Sequence, residues 1–108
     1  MLKNKTKKTI ISENYLNKNA LGKIKGLIGI KNPEVIIFKT RFGIHTFLLK
    51  FPIDVLILDK KNKVMKLKIK LMPNRVFFWS IKFDTVIEMP VGFIEKSKTE
   101  VGDKLTLA

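Results

Sequence analysis

Short runs of β-branched and aromatic residues, separated by turn residues at regular intervals, dominate the chain from Val35 onward. Such runs favour strands, because branched and aromatic side chains pack well on a pleated surface. Asp and Asn in residues 59–63 can bond their own backbone, and Pro73 cannot donate to a ladder, so both segments divide neighbouring runs. The sequence therefore predicts a mainly β fold, a small antiparallel barrel or sandwich of about seven or eight short strands. The predicted strands are 9–12, 35–39, 44–49, 53–59, 64–71, 76–81, 85–89 and 104–107.

One short helix is predicted near the N-terminus, over about residues 17–28. Its apolar residues recur at helical spacing. Residues 1–8 are lysine-rich and lack apolar periodicity, so we expect a flexible basic arm there. A chain of 108 residues can bury one modest core. The expected organisation is an arm over 1–8 followed by a single β-rich domain over 9–108.

The net charge of the chain suggests nucleic acid as a partner. There are 22 basic and 9 acidic residues, a formal net charge of +13, and clustered cations gain affinity for phosphate by releasing condensed counterions. Only Arg41 and Arg75 are arginines, however, and the fork that grips phosphate in bidentate fashion belongs to arginine. Abundant Lys, Ile, Asn and Phe also fit the codon bias of an AT-rich genome. A functional basic surface and a compositional origin both stay open.

The sequence lacks the residues that several kinds of functional site require. Cysteine is absent, which removes disulfides, thiolate metal sites and cysteine nucleophiles. With one histidine, no spacing typical of a metal site is present, and there is no phosphate-binding glycine loop or serine elbow. We therefore expect no metal and no cofactor, and none of the standard hydrolase, kinase or dinucleotide mechanisms. No apolar stretch nears the roughly 18 residues of a membrane span, and residues 1–14 lack the apolar run of a secretory signal, so we expect no membrane span and a cytoplasmic location.

A series of short motifs resembles a known family in their order along the chain. They are Ile44-His45-Thr46-Phe47, Phe51-Pro52-Ile53-Asp54, Leu58-Asp59, Pro73-Asn74-Arg75, Glu88-Met89-Pro90-Val91-Gly92 and Gly102-Asp103. This order resembles domain of unknown function 192, a family of small uncharacterised bacterial and archaeal proteins. The resemblance implies a small, mostly β domain with a short helix near its start, and it brings no established activity. Ile30 and Leu48-Leu49-Lys50 depart from the family pattern, which tends to have Arg and Phe-Met-Arg there.

Four polar residues form a candidate pocket: His45, Thr46, Asp54 and Glu88. His45 is the only residue whose unperturbed pKa lies near neutrality, so a general base at pH 7 would most simply be this one. Asp54 lies in an apolar strand, where a carboxylate is costly unless it is hydrogen-bonded or paired. It can bond backbone amides or pair with His45. A structural role and a catalytic role for His45 and Asp54 are both open.

The strand over residues 64–71 alternates between apolar residues and lysines. Lys66, Lys68 and Lys70 should therefore stand on one face, about 6.6 Å apart. That spacing is close to the phosphate repeat along an extended nucleic-acid strand, and Arg75 follows nearby, so these four residues form a candidate basic surface. Outward lysines also keep sheet edges from aggregating, so a solvated face without a ligand is the other interpretation that stays open.

Phe77, Phe78 and Trp79 form a candidate partner contact. Three consecutive aromatic residues cannot all face one side of a regular strand, so either the core or a partner must cover them. We therefore expect a small basic binding or interaction domain of unknown ligand. A second hypothesis is weak binding of single-stranded nucleic acid through the basic surface and Trp79. A third is an accessory subunit of a larger assembly, which would contact another protein through the aromatic residues, and the last is an enzyme using His45 and Asp54.

Overall fold

The structure is a computed structural model and describes residues 1–17, 34–47 and 49–108. Within these residues the chain forms ten strands and one helix. They are β1 (Leu2–Asn4), β2 (Thr9–Ser12), β3 (Leu16–Asn17), β4 (Ile36–Lys39), β5 (Gly43–His45), β6 (Ile53–Leu58), β7 (Val64–Leu71), β8 (Val76–Phe78), β9 (Thr85–Pro90), α1 (Phe93–Ser97) and β10 (Leu105–Leu107). The prediction of a mainly β fold is confirmed.

The centre of the fold is a five-stranded sheet in the order β3-β4-β9-β6-β7. β3 and β4 pair in parallel, and the other neighbours are antiparallel. Every residue of β6 is buried, as are the first five of β9. A nearly continuous apolar run is what a strand covered on both faces requires, and β6 has one.

Two apolar clusters cover the two faces of this sheet. On the first face, residues of the sheet pack against a second sheet, β10-β1-β2, and against α1. That first cluster includes Leu56, Leu58, Ile87, Met89, Leu2, Ile11, Ile94 and Leu105. On the second face, the cover comes from Leu49, Trp79 and the inward side of the two-stranded sheet β5-β8. That second cluster includes Ile36, Phe38, Ile53, Val55, Ile57, Val86, Leu49 and Trp79.

The arrangement of the sheets and the position of the helix show that two details of the predicted fold are wrong. The three sheets of the described chain are stacked and do not close into a barrel. The described helix, α1, lies near the C-terminus instead of the N-terminus. The helix predicted over residues 17–28 lies outside the described residues, except for Asn17, which ends β3. Sequence periodicity misses α1 because five residues are too few to establish a helical repeat.

Residues 2–4 differ from the predicted flexible arm over residues 1–8. They form β1, which pairs with β10 on one side and β2 on the other. Leu2 and Asn4 are buried and Lys3 between them is exposed. The side-chain amide of Asn4 donates to Thr99 Oγ1 at 3.0 Å and to Asp103 Oδ2 at 2.8 Å. These partners follow β1 by about a hundred residues, so no local pattern could reveal them.

Within the described residues, no helix has the length and apolar character needed to cross a membrane.

Candidate functional site

A hollow of about 310 Å³ lies between β7 and β8. We call it the basic hollow, because its rim carries three exposed cations. Its lining consists of Lys68, Lys70, Leu71, Met72, Arg75, Val76 and Phe77. Three of the four residues of the predicted basic surface therefore meet at one place. Met72 and Val76, which line the same hollow, carry no sequence signal that would have placed them there.

An irregularity in β7 shapes one wall of the hollow. Val55 pairs with Lys68 and Ile53 with Leu71, so three steps along β7 match two along β6. Lys70 takes up the extra step with a φ of 56° and donates its backbone amide to Asp54 Oδ1 at 2.9 Å. The strict alternation predicted for this strand therefore fails at its end, where Ile69 is 37% exposed. Such a bulge bends the strand and re-aims its side chains.

Thr46 fastens the turn that presents Arg75. Its hydroxyl donates to the carbonyl of Met72 at 2.7 Å and accepts from the amide of Arg75 at 2.9 Å. Its own amide donates to the carbonyl of Arg75, and its carbonyl accepts from the amide of Asn74. Thr46 is fully buried. These bonds end β5 at His45, well short of the predicted boundary at Leu49, because the backbone of Thr46 bonds to the turn instead of extending the β5-β8 ladder.

Lys66, the fourth residue of the predicted basic surface, does not line the hollow but ties β7 to β8. Its ammonium donates to the carbonyl of Phe78 at 2.6 Å and lies 4.8 Å from the centre of the Phe77 ring. An ammonium over an aromatic face is attracted by the ring quadrupole. The role of Lys66 is thus to hold the aromatic strand beside the lysine strand.

The aromatic residues of the predicted partner contact divide between core and solvent. Trp79 is 7% exposed, and its indole nitrogen donates to the carbonyl of Phe83 at 2.8 Å. Phe77 is half-buried and packs against the second cluster. Phe78, by contrast, is 60% exposed. Trp79 is therefore unavailable for the ligand contact that the sequence suggested.

The outward side of the β5-β8 sheet is an exposed surface that we call the aromatic face, made of His45, Phe47, Val76 and Phe78. His45 pairs with Val76, and Gly43 pairs with Phe78. The imidazole of His45 stacks on the ring of Phe47, with 5.0 Å between ring centroids and 22° between planes. Alternation along the predicted strand indicates that His45 and Phe47 point to the same side. Only the structure shows that β8 lies beside them.

Asp54 is buried and serves as a cap for α1. Its Oδ2 accepts hydrogen bonds from the amides of Gly92 at 3.1 Å and Ile94 at 3.2 Å, while Oδ1 accepts from Lys70. Gly92, at the N-cap position, offers no side-chain bond to the helix. The carboxylate of Asp54 supplies the acceptor that a capping side chain would otherwise provide.

The four residues of the predicted pocket do not share one cavity. β6 and β9 pair so that Glu88 is opposite Val55 and Met89 is opposite Asp54. Directly opposed residues point to the same side of a sheet and successive residues alternate, so Asp54 faces the first cluster and Glu88 faces the second. Glu88 is buried, whereas His45 is exposed. In the part of the chain that the structure describes, no group of three or more His, Asp or Glu side chains could hold a metal ion.

Comparison with known proteins places the chain in a family. The family model of DUF192, described as "Uncharacterized ACR, COG1430", matches residues 17–107. A UPF0127 protein of Pyrococcus abyssi is 34% identical over 105 residues, which cover 91% of this chain and 84% of that protein.

Two solved structures share the fold. A protein of unknown function from Novosphingobium aromaticivorans has a TM-score of 0.73 at 16% identity, over 87% of this chain and 73% of that one. A "putative transcription regulator" from Sinorhizobium meliloti has a TM-score of 0.73 at 14% identity, over 86% of this chain and 78% of that one. Since the family model spans most of the sequence and the Pyrococcus relative aligns with nearly all of it, the chain belongs to the uncharacterised family DUF192.

Proposed function

We propose that the protein is a non-enzymatic binding domain whose basic hollow holds the sugar–phosphate backbone of nucleic acid. The observation that carries this proposal is the convergence of Lys68, Lys70 and Arg75 on one hollow. Three cations around one concave surface concentrate positive potential there and attract polyanions. Arg75 adds the planar donor fork that suits phosphate oxygens.

Among the described residues, no carboxylate compensates the charge of this hollow, whereas several other cations are paired. Lys7 pairs with Asp103 and Glu100, while Lys39 and Arg41 both pair with Asp84. By contrast, none of the described residues that line the basic hollow is a carboxylate. Within the described ranges, Lys68, Lys70 and Arg75 have no ion-pair partner. A surface that served only solubility would have no need to gather its unpaired cations in a concavity.

The geometry of the chemical groups favours binding over catalysis. The carboxylate oxygens of Asp54 are occupied by three backbone amides. His45 lies on the exposed aromatic face, stacked on Phe47. The description of the Sinorhizobium structure as a "putative transcription regulator" agrees with a nucleic-acid ligand, although it was given to that protein and not to this one.

The test is fluorescence anisotropy with a labelled oligonucleotide of about 12 nucleotides, titrated at several salt concentrations. The variant K68E/K70E/R75E removes the three cations of the hollow. We expect its affinity to fall by more than about tenfold. Each phosphate contact on a single strand contributes about 0.7 to the slope of log affinity against log salt, so this slope should become shallower by about 2.

The matched control is K60E/K61E/K104E, which makes the same change in net charge at exposed lysines outside the hollow. It should lose much less affinity and keep most of the salt slope. Equal losses in the two variants would assign binding to overall charge and remove the role of the hollow. Absence of binding by the wild-type protein at low salt would contradict the proposed function itself.

A further inference from the structure

The aromatic face adjoins the basic hollow through a shared residue. Val76 lines the hollow and also lies on the outward side of β8, opposite His45. It is 51% exposed, and Phe78, two residues further along the same side, is 60% exposed. Their inward neighbours, Ile44 and Phe77, pack against the second cluster. A ligand in the hollow would therefore meet exposed rings as soon as it extended along β8.

We infer that the aromatic face stacks unpaired nucleobases, which makes single-stranded nucleic acid the ligand in preference to duplex. This inference rests on the proposed function, since the hollow supplies the attachment of the backbone. Stacking of bases on aromatic side chains beside a positively charged groove is a general means of holding single strands. Duplex bases are already stacked on one another, and their faces are closed to such contacts.

The ring of Phe78 packs against the neighbouring strand. It lies directly against Gly43, where an added Cβ would come within 2.6 Å of Phe78 Cδ1 and 2.7 Å of the carbonyl oxygen of Phe77. The carbonyl of Phe78 is fixed in turn by the ammonium of Lys66. A ring that already packs on the neighbouring strand has less conformational freedom to lose when a base stacks on it.

His45 and Phe47 provide a second stacked surface on the same side. Residues diagonally opposed across an antiparallel pair are about 7–8 Å apart, and His45 and Phe78 have this relationship in the β5-β8 register. The stacked pair and the Phe78 ring are therefore neighbours on one side of the β5-β8 sheet, within reach of successive bases of one strand.

The charge beside this face decides the occupant. An apolar peptide could also cover exposed phenylalanines, but it would leave the cations of the hollow without partners. A single strand satisfies both features at once, with phosphates near Lys68, Lys70 and Arg75 and bases on the rings.

The test compares three labelled probes of equal length: oligo(dT), an abasic oligomer with the same backbone, and a duplex. We expect oligo(dT) to bind more tightly than the other two. Phe78→Leu keeps an apolar side chain but removes the ring, and it should weaken oligo(dT) binding by roughly 5- to 100-fold. Phe78→Tyr keeps the ring and should retain most of the affinity. Neither variant should alter binding of the abasic oligomer.

Ile10→Ala is the control for loss of an exposed apolar side chain elsewhere, since Ile10 lies on β2 and is 54% exposed. It should leave all three affinities unchanged, and the emission of Trp79 checks that every variant folds. Equal affinity of the wild-type protein for oligo(dT) and the abasic oligomer, unchanged by Phe78→Leu, would overturn base stacking and leave backbone binding intact. Failure of all three probes to bind at low salt would overturn the proposed function, and the inference with it.

Discussion

The carboxylate of Asp54, near the start of β6 in the central sheet, accepts a hydrogen bond from the amide of Ile94, which follows it by 40 residues. The same oxygen accepts from Gly92, so one strand residue fixes the first turn of α1 against the first apolar cluster. The strand and the helix are thereby joined without a salt bridge.

Asp54→Asn should destabilise the protein by about 2–4 kcal/mol. The asparagine side chain has an NH₂ donor where the carboxylate had an acceptor oxygen, so at least one buried backbone N–H loses its partner. The midpoint of urea unfolding measures this. Asp59→Asn is the matched control, since Oδ1 of Asp59 also accepts from two backbone amides, at 2.8 and 2.9 Å, but in an exposed loop. Its cost should be about 1 kcal/mol or less. Equal losses of stability in the two variants would show that burial of the Asp54 carboxylate does not add to the effect of its hydrogen bonds.

Thr46→Val should loosen the turn that carries Arg75. Valine has nearly the shape of threonine, but it removes the hydroxyl that bonds Met72 and Arg75. We expect a loss of about 1–3 kcal/mol in stability, because the amide of Arg75 becomes an unpaired donor. Hydrogen exchange at that amide should accelerate.

Thr46→Ser is the control for this change, because serine keeps the hydroxyl. It should restore slow exchange at Arg75, although the missing methyl group costs some packing. Rapid exchange at Arg75 in both variants would mean that the methyl group, and not the hydroxyl, holds the turn.

Gly43→Ala should separate β5 from β8, because its Cβ would collide with the Phe78 ring and with the carbonyl oxygen of Phe77. The ring can move aside but the carbonyl belongs to the paired strand, so we expect a loss of about 1–3 kcal/mol. The emission of Trp79, the one tryptophan of the chain, reports on this region, since its amide donates to the carbonyl of Phe42.

Gly102→Ala is the comparison for Gly43→Ala. Gly102 has a φ of 98° and open space around an added Cβ, so the cost there is conformational, about 1 kcal/mol. It should leave the emission of Trp79 unchanged. An identical emission spectrum for Gly43→Ala and the wild-type protein would contradict the predicted collision.

Asp103 should give stability a dependence on pH in the acid range. Burial acts to raise the pKa of its carboxyl group, but hydrogen bonds from Lys7, Asn4 and the amide of Glu100 outweigh burial and lower that pKa. A lowered pKa in the folded state contributes stability above the unfolded pKa, near 4, and this contribution is lost as pH falls through the folded pKa. The hydrogen bond with Asp103 raises the pKa of Lys7, so the contribution of the lysine is present at neutral pH and is lost only at strongly alkaline pH.

The measurement is the unfolding midpoint of wild-type protein and Asp103→Asn from pH 3 to pH 8. The wild-type advantage should be constant above about pH 5 and should shrink below about pH 4. Lys7→Gln should show a weaker acid dependence than the wild-type protein, because one of the bonds that lower the pKa of Asp103 is gone. Parallel profiles for wild-type protein and Asp103→Asn across this range would rule out the carboxylate as a source of acid sensitivity.

Local patterns were sufficient for the strands that pack on both faces or alternate along their length. β7 begins and ends where the alternation of lysines and apolar residues predicts, and β6 differs from its prediction by one residue. Local patterns miss β1 and β3, because each is short and pairs with a strand that is distant in sequence, β10 for β1 and β4 for β3. The pattern within a strand contains no information about which distant strand pairs with it.

For the candidate site, too, local patterns predict some residues, and the rest depend on how the strands pair. Lys68, Lys70 and Arg75 could be selected from charge and spacing, and they do meet at one hollow. Asp54 and Glu88 could not be separated from sequence, because the pairing of Glu88 with Val55 decides which side of the sheet it faces. The aromatic face likewise depends on the register between β5 and β8, which no single strand specifies.

The pairing of β1 with β10 joins residues 2–4 to residues 105–107. The central sheet lies between these two segments in the chain, and both of them help to cover its first face. Without β10, Leu2 would lose its partner strand on that side, and the first face, with Leu56 and Met89, would lose part of its cover. A truncation that removes β10 would consequently open apolar surface of the first cluster to solvent, and such a surface favours aggregation.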